Sequence, residues 1–287
     1  MHDEAQMHFV PAIPAVVEHL VHGETAQLQV TIGGVSEADV KVDGESVGTG
    51  TTTVEAHWGD TVQGVTFDLG DESVKTWVDA QIDLTPLDAI NEVRDAHTVT
   101  ATVQVHDGIT WTMAPDGTLV TLSLPGGGAS FENGVYTCTT VGGRCPVDIN
   151  SDVPGDVQIR AETDVLVEGL TLHRESDGER WNSREASKTY VDASIGITPQ
   201  DATNALSDPH TFTVTVLEHN GHNTNPVSGV TPTVAITPTP GGRVDGCATG
   251  GTDANGQCTV VITSSVTAVY TANAEVTLAV QGITMTR

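Results

Sequence analysis

Hydrophobic and polar positions alternate with a period of two along most of this chain. From His97 to His106, Val99, Ala101, Val103 and Val105 alternate with Thr98, Thr100, Thr102 and Gln104; Phe212, Val214 and Val216 do the same in the later run that begins at His210. β-Branched alternation, punctuated by Gly, Pro and Asn, predicts half-buried antiparallel strands. Residues 86–93 and 200–206 are the one pair of stretches with room for a helical turn.

The pattern repeats. Lys75-Thr76-Trp77-Val78-Asp79-Ala80 returns as Lys188-Thr189-Tyr190-Val191-Asp192-Ala193, an offset of 113 residues, and 19 of the 34 positions from Lys75 to Gly108 are identical to those from Lys188 to Gly221. Cys145 meets Cys258 at the same offset, and Val167-Glu168-Gly169-Leu170 meets Val280-Gln281-Gly282-Ile283. A related closing pattern, Val62-Gln63-Gly64-Val65, occurs once earlier. The expected organisation is therefore a short or diverged β module at 1–74, a first repeat with its linker at 75–187, and a second repeat at 188–287. Repeats of about 100 residues made only of strands and short turns predict β-sandwiches. Residues 175–187, polar and containing Asp177-Gly178, read as a linker or protruding hairpin, and residues 68–74 as a shorter, stiffer connection.

Composition narrows the function classes. Aromatic residues are 4% of the 287, which excludes one large core and favours several small ones filled by Val, Ile, Leu and Thr. The net charge of −27 argues against nucleic acid or anionic membrane as a partner. No apolar run is long enough to span a bilayer, and no signal segment is recognisable, so membrane insertion is not expected.

The four cysteines form two local pairs, Cys138 with Cys145 around a Gly142-Gly143 turn and Cys247 with Cys258. Their spacing does not suit a zinc or redox motif, whereas a hairpin brings such residues to bonding distance. One disulfide per repeat is expected, and with it an oxidising, extracellular or cell-surface location.

The Thr-Pro opening strand, the segment Asp253-Ala254-Asn255-Gly256-Gln257-Cys258-Thr259-Val260-Val261-Ile262-Thr263-Ser264 and the following Ala268-Val269-Tyr270-Thr271-Ala272 resemble bacterial immunoglobulin-like domains of group 1, the invasin/intimin type. The resemblance covers both repeats, about 200 residues, and implies an all-β fold of tandem immunoglobulin-like β-sandwiches. It also implies rigid stalks on surface proteins, with no catalytic residues.

Gly44-Glu45-Ser46-Val47-Gly48 matches the nucleophile elbow of hydrolases in letters, but a hairpin pattern surrounds it and no helix follows, so a Gly-rich turn is the reading and no enzyme is expected. His19 with His22, and the recurrent pairs His97/His210 and His106/His219, are read as structural positions. Acidic residues gather near the repeat boundaries, and Asp79 and Asp192, equivalent and at the start of each repeat, are the candidate ligands for a junction calcium; no other cofactor is expected. Lys75 and Lys188 are read as strand-end lysines in solvent rather than as buried members of an internal Lys–Asn crosslink.

The apolar, proline-broken start, with Phe9, Val10, Ile13 and Val16, either completes its own short module or serves as an assembly strand against a like subunit. The leading expectation is a non-enzymatic extracellular stalk or filament segment, with like subunits or neighbouring domains as partners. The alternative is a glycan- or protein-binding module, as on an adhesin tip or a virion surface, that reads its ligand through loops of the last repeat. His219, Asn220, His222 and Asn223 are its candidate contacts.

Overall fold

In the computed structural model of the chain, the structure describes residues 19–21, 39–43, 50–62 and 65–287. Phe9, Val10, Ile13, Val16, His22 and the Gly44–Gly48 motif lie outside the described residues.

The alternating runs form the predicted strands, and they build two stacked Ig-like sandwiches. In the first, the end of the long strand Val65–Thr85 pairs with His97–His106, which pairs with Arg144–Asn150. The facing layer runs from Thr137–Thr139 through Leu119–Ser123 to Gly155–Val167, flanked by Leu170–Glu175. Between the layers sit Val99, Ala101 and Val103, all fully buried, with Ile82, Val120, Ile149 and Ile159. Each of these buried Val and Ile side chains stabilises the fold by roughly 1.5–3 kcal/mol through burial.

The second sandwich repeats the plan. Ala186–Thr198 pairs with His210–His219, which pairs with Gln257–Thr263. Opposite them lie Thr233–Thr237 with Thr271–Glu275, and Thr277–Val280 with Ile283–Thr286. Val214, Val216 and Val260 are fully buried in this separate core.

Both predicted disulfides are present. Cys138–Cys145 has a Cα separation of 5.8 Å, and Cys247–Cys258 one of 5.0 Å. The hairpin expectation needs refinement. Cys138 lies on a strand of one layer and Cys145 on a strand of the other, so the bond ties the two faces together. Cys247 sits in the short helix Gly246–Gly250, which Asp245 caps by accepting the Ala248 N–H.

Three further expectations change. Residues 86–93 form no helical turn: Asp88–Glu92 is a strand, lying parallel to the opening strand of the second repeat in the register Ala89 to Lys188 and Asn91 to Tyr190. The polar connection after Glu175 is not a free linker. Asn182 Oδ1 accepts the Ile82 N–H at 3.1 Å, Ser183 donates its own N–H to Ile82 O at 3.1 Å, and Ser183 Oγ accepts the Leu84 N–H at 2.9 Å. The loop thereby satisfies the open edge of the Val65–Thr85 strand, which would otherwise invite pairing with another chain. Finally, Lys75 and Lys188 are not in solvent: their exposures are 2% and 0%.

Candidate functional site

The site that the sequence builds with most care is the junction between the sandwiches. Ala186–Thr198 runs unbroken through it, about 40 Å of continuous strand at the usual rise per residue. Its first part, up to Tyr190, pairs with Gly155–Val167 and packs in the first core; from Val191 onward it belongs to the second. The boundary expected at 187/188 therefore falls in the structure between Tyr190 and Val191. Tyr190 is the largest fully buried side chain among the described residues, and its hydroxyl donates to Ile149 O at 3.0 Å. A side chain written in the second repeat thus completes the core of the first.

The same arginine latch closes both repeats. Arg174 donates from Nε to Ala80 O at 2.8 Å and from Nη2 to Asp79 Oδ1. Arg287, at the 113-residue offset, donates from Nε to Ala193 O at 3.0 Å and to Asp192 Oδ1 at 2.9 Å. In each case the last strand of the repeat is pinned to its opening strand. At Asp79 and Asp192, the positions expected to hold calcium, a guanidinium supplies the positive charge. The planar fork also satisfies a neighbouring carbonyl, which a point charge could not do through donors.

Arg287 reaches further than its counterpart is seen to do. Its Nη2 also donates to Glu92 Oε1 of the first repeat at 2.6 Å, so one guanidinium ties three strands across the boundary.

The loop expected to bind a ligand lies at this junction. His222 Nδ1 is 2.8 Å from Asp156 Oδ2 of the first repeat, whose Oδ1 accepts the Thr189 hydroxyl at 2.6 Å. Asn220 Oδ1 accepts the backbone N–H groups of His222 and Asn223, and His219 Nδ1 lies 2.8 Å from Thr224 Oγ1. These bonds shape the loop and seat it on the neighbouring sandwich. Gly221 explains why glycine recurs here: its φ is +90°, and a Cβ would collide with Cγ2 of Thr189. Gly108, at φ +96°, stands in the same relation to Thr76.

At the centre lies Lys188. Its Nζ donates to Asn91 Oδ1 at 2.5 Å and sits 5.0 Å from the Tyr190 ring centroid. Burial pulls its pKa down to about 8, against the opposing charge of Asp95. Nearby His97 is also lowered, by burial first and then by the Lys188 charge. A histidine held neutral in the folded state is protonated first in the unfolded one. Its contribution is therefore lost as pH falls below the ordinary value of 6.5. His97→Gln is expected to flatten the decline in unfolding midpoint between pH 7 and 5. Equal slopes in denaturant titrations of the two proteins would contradict this.

The sequence alone assigns no role to Asn91, Glu92, Asp156 or the two closing arginines. The 113-residue recurrence of Arg174 and Arg287 was a usable signal; the cross-boundary partners carried none, because pairing between repeats leaves no trace within a repeat.

No family model and no curated protein matches the chain. Among solved structures, the D0–D1 domains of intimin align at 22% identity over 68% of this chain and 89% of that one, with a TM-score of 0.25. The D00–D0 domains of intimin align at 17% identity over 63% and 98%, with a TM-score of 0.36. Invasin, a bacterial integrin-binding protein, aligns at 13% identity over 83% and 45%, with a TM-score of 0.31.

Proposed function

We propose that this chain is a non-enzymatic, extracytoplasmic structural protein, in which stacked Ig-like sandwiches hold a fixed spacing as a stalk or filament segment of a cell-surface or adhesive assembly. Its partners are like subunits or neighbouring domains. The observation that carries the reading is the junction. A strand shared by both sandwiches, a tyrosine lent by one core to the other, and the Arg287–Glu92 and His222–Asp156 pairs resist bending in several directions. A flexible polar linker would serve tethering; a shared strand serves spacing. Disulfides in both repeats support an oxidising location.

Light scattering with small-angle X-ray scattering tests the proposal. The expected particle is elongated, with a stiff relation between the two sandwiches that added calcium leaves unchanged. Scattering that requires a broad range of inter-repeat angles would sink the idea.

A further inference from the structure

The junction holds a buried amine against a side-chain amide, and this arrangement does more than bridge two strands. An ammonium has three donors and no acceptor, and burying one is stable only when the donors are satisfied. Lys188 is fully buried, yet the contacts found for its Nζ are one oxygen, Asn91 Oδ1 at 2.5 Å, and the face of Tyr190. The amide of Asn91 is held from its other side as well, because Nδ2 donates to Asp95 Oδ2 at 2.9 Å. The amine, the carbonyl and a carboxylate thus stand in a row: parallel strand pairing fixes the register of Lys188 and Asn91, and Asp95 follows in the turn that its N–H closes onto Glu92 O.

We propose that Lys188 and Asn91 condense into an isopeptide bond that covalently joins the two repeats, with Asp95 as the proton carrier. The neutral Nζ attacks Cγ of Asn91, and the Nζ–Cγ bond forms as the Cγ–Nδ2 bond breaks. One of the two Nζ protons passes through the Asp95 carboxylate to Nδ2, and ammonia leaves. The other remains on the new secondary amide. No electrons are exchanged with an outside reagent, so folding alone suffices to start the reaction. A pKa near 8 leaves about a tenth of the lysine neutral at pH 7, enough to feed an irreversible step. The product relieves the burial problem, since a neutral amide has a single N–H to satisfy in place of three charged donors.

The placement gives the bond a mechanical consequence. Asn91 belongs to the last strand-forming segment before the first repeat turns into His97–His106, and Lys188 opens the second repeat. The cross-link would therefore lock the shared strand to the first sandwich. Asn204, the copy of Asn91, donates instead to Pro209 O at 3.2 Å, so this link is specific to the junction among the described residues.

Intact-mass spectrometry of the full chain is the test, and its result does not depend on whether the array serves as a spacer. The expected mass is about 17 Da below that calculated from the sequence with two disulfides. After tryptic digestion, residues 76–94 should remain joined to residues 185–243. Lys188→Met and Asn91→Ala should each restore the full mass. Asn91→Asp keeps the electrophile and loses water rather than ammonia, so it should give the same final mass as the wild type, which guards against a variant that merely fails to fold. Asp95→Asn should leave most of the chain unreacted, and complete linkage in it would overturn the part assigned to Asp95. A wild-type chain of full mass, or a loss mapped to another residue, overturns the proposal.

Discussion

Arg174→Met is expected to destabilise the first sandwich by about 3–5 kcal/mol, the usual cost of stranding one member of a buried ion pair. Asp79 is fully buried and Arg174 nearly so, and Asp79 Oδ2 has no hydrogen-bond partner that could take over. Removing the guanidinium also frees Ala80 O and His173 O, which it satisfies at 2.8 and 2.6 Å. For a domain of this size, such a loss lowers the melting temperature by about 15 °C or more. The Asp79→Ala/Arg174→Met double variant should recover much of it, because the penalty lies in the orphaned charge rather than in the pair. Arg287→Met provides the contrast. Asp192 and Arg287 are each about a quarter exposed, so water can solvate what is left, and a loss of about 1 kcal/mol is expected. Equal losses at the two latches, measured by denaturant unfolding, would show that burial does not set their strength.

Tyr190→Ala is the second large effect, and its location is the informative part. The substitution lies in the second repeat by sequence, yet about 3–5 kcal/mol should be lost from the first sandwich, whose core the ring fills. Calorimetry should show the transition of the first sandwich moving down while that of the second holds nearly constant. Tyr190→Phe keeps the ring and leaves Ile149 O without its donor, for about 1 kcal/mol. A shift confined to the second sandwich would mean that the tyrosine does not complete its neighbour.

Much of the fold was legible in the residues. Alternation at Val99, Ala101 and Val103 identified which face of the strand is buried, because a strand exposes alternate side chains to opposite sides. The recurrence at 113 residues is legible in the letters alone, and the cysteine spacing pointed to both disulfides. The site was much less legible. Asp88–Glu92 is a strand while its copy, residues 201–205, lies outside any strand, although three of five residues are shared. The difference is the neighbour: Asp88–Glu92 has the opening strand of the second repeat beside it to take its backbone hydrogen bonds. Lysine at the start of a repeat reads as solvated because lysine usually is, and nothing local signals that the preceding sandwich will cover it.

By itself, then, the sequence determined the all-β class, the repeat, the inward faces and the cysteine pairing, since each follows from interactions within one repeat. Only the tertiary structure decided that Arg174 and Arg287 occupy the carboxylates of Asp79 and Asp192, that His222 seats its loop on Asp156, and that Lys188 is buried against Asn91. Those contacts join residues about 66 to 97 positions apart, along strands and across layers. Their partners are chosen by how two separately encoded sheets dock, and no periodicity in the chain records that choice.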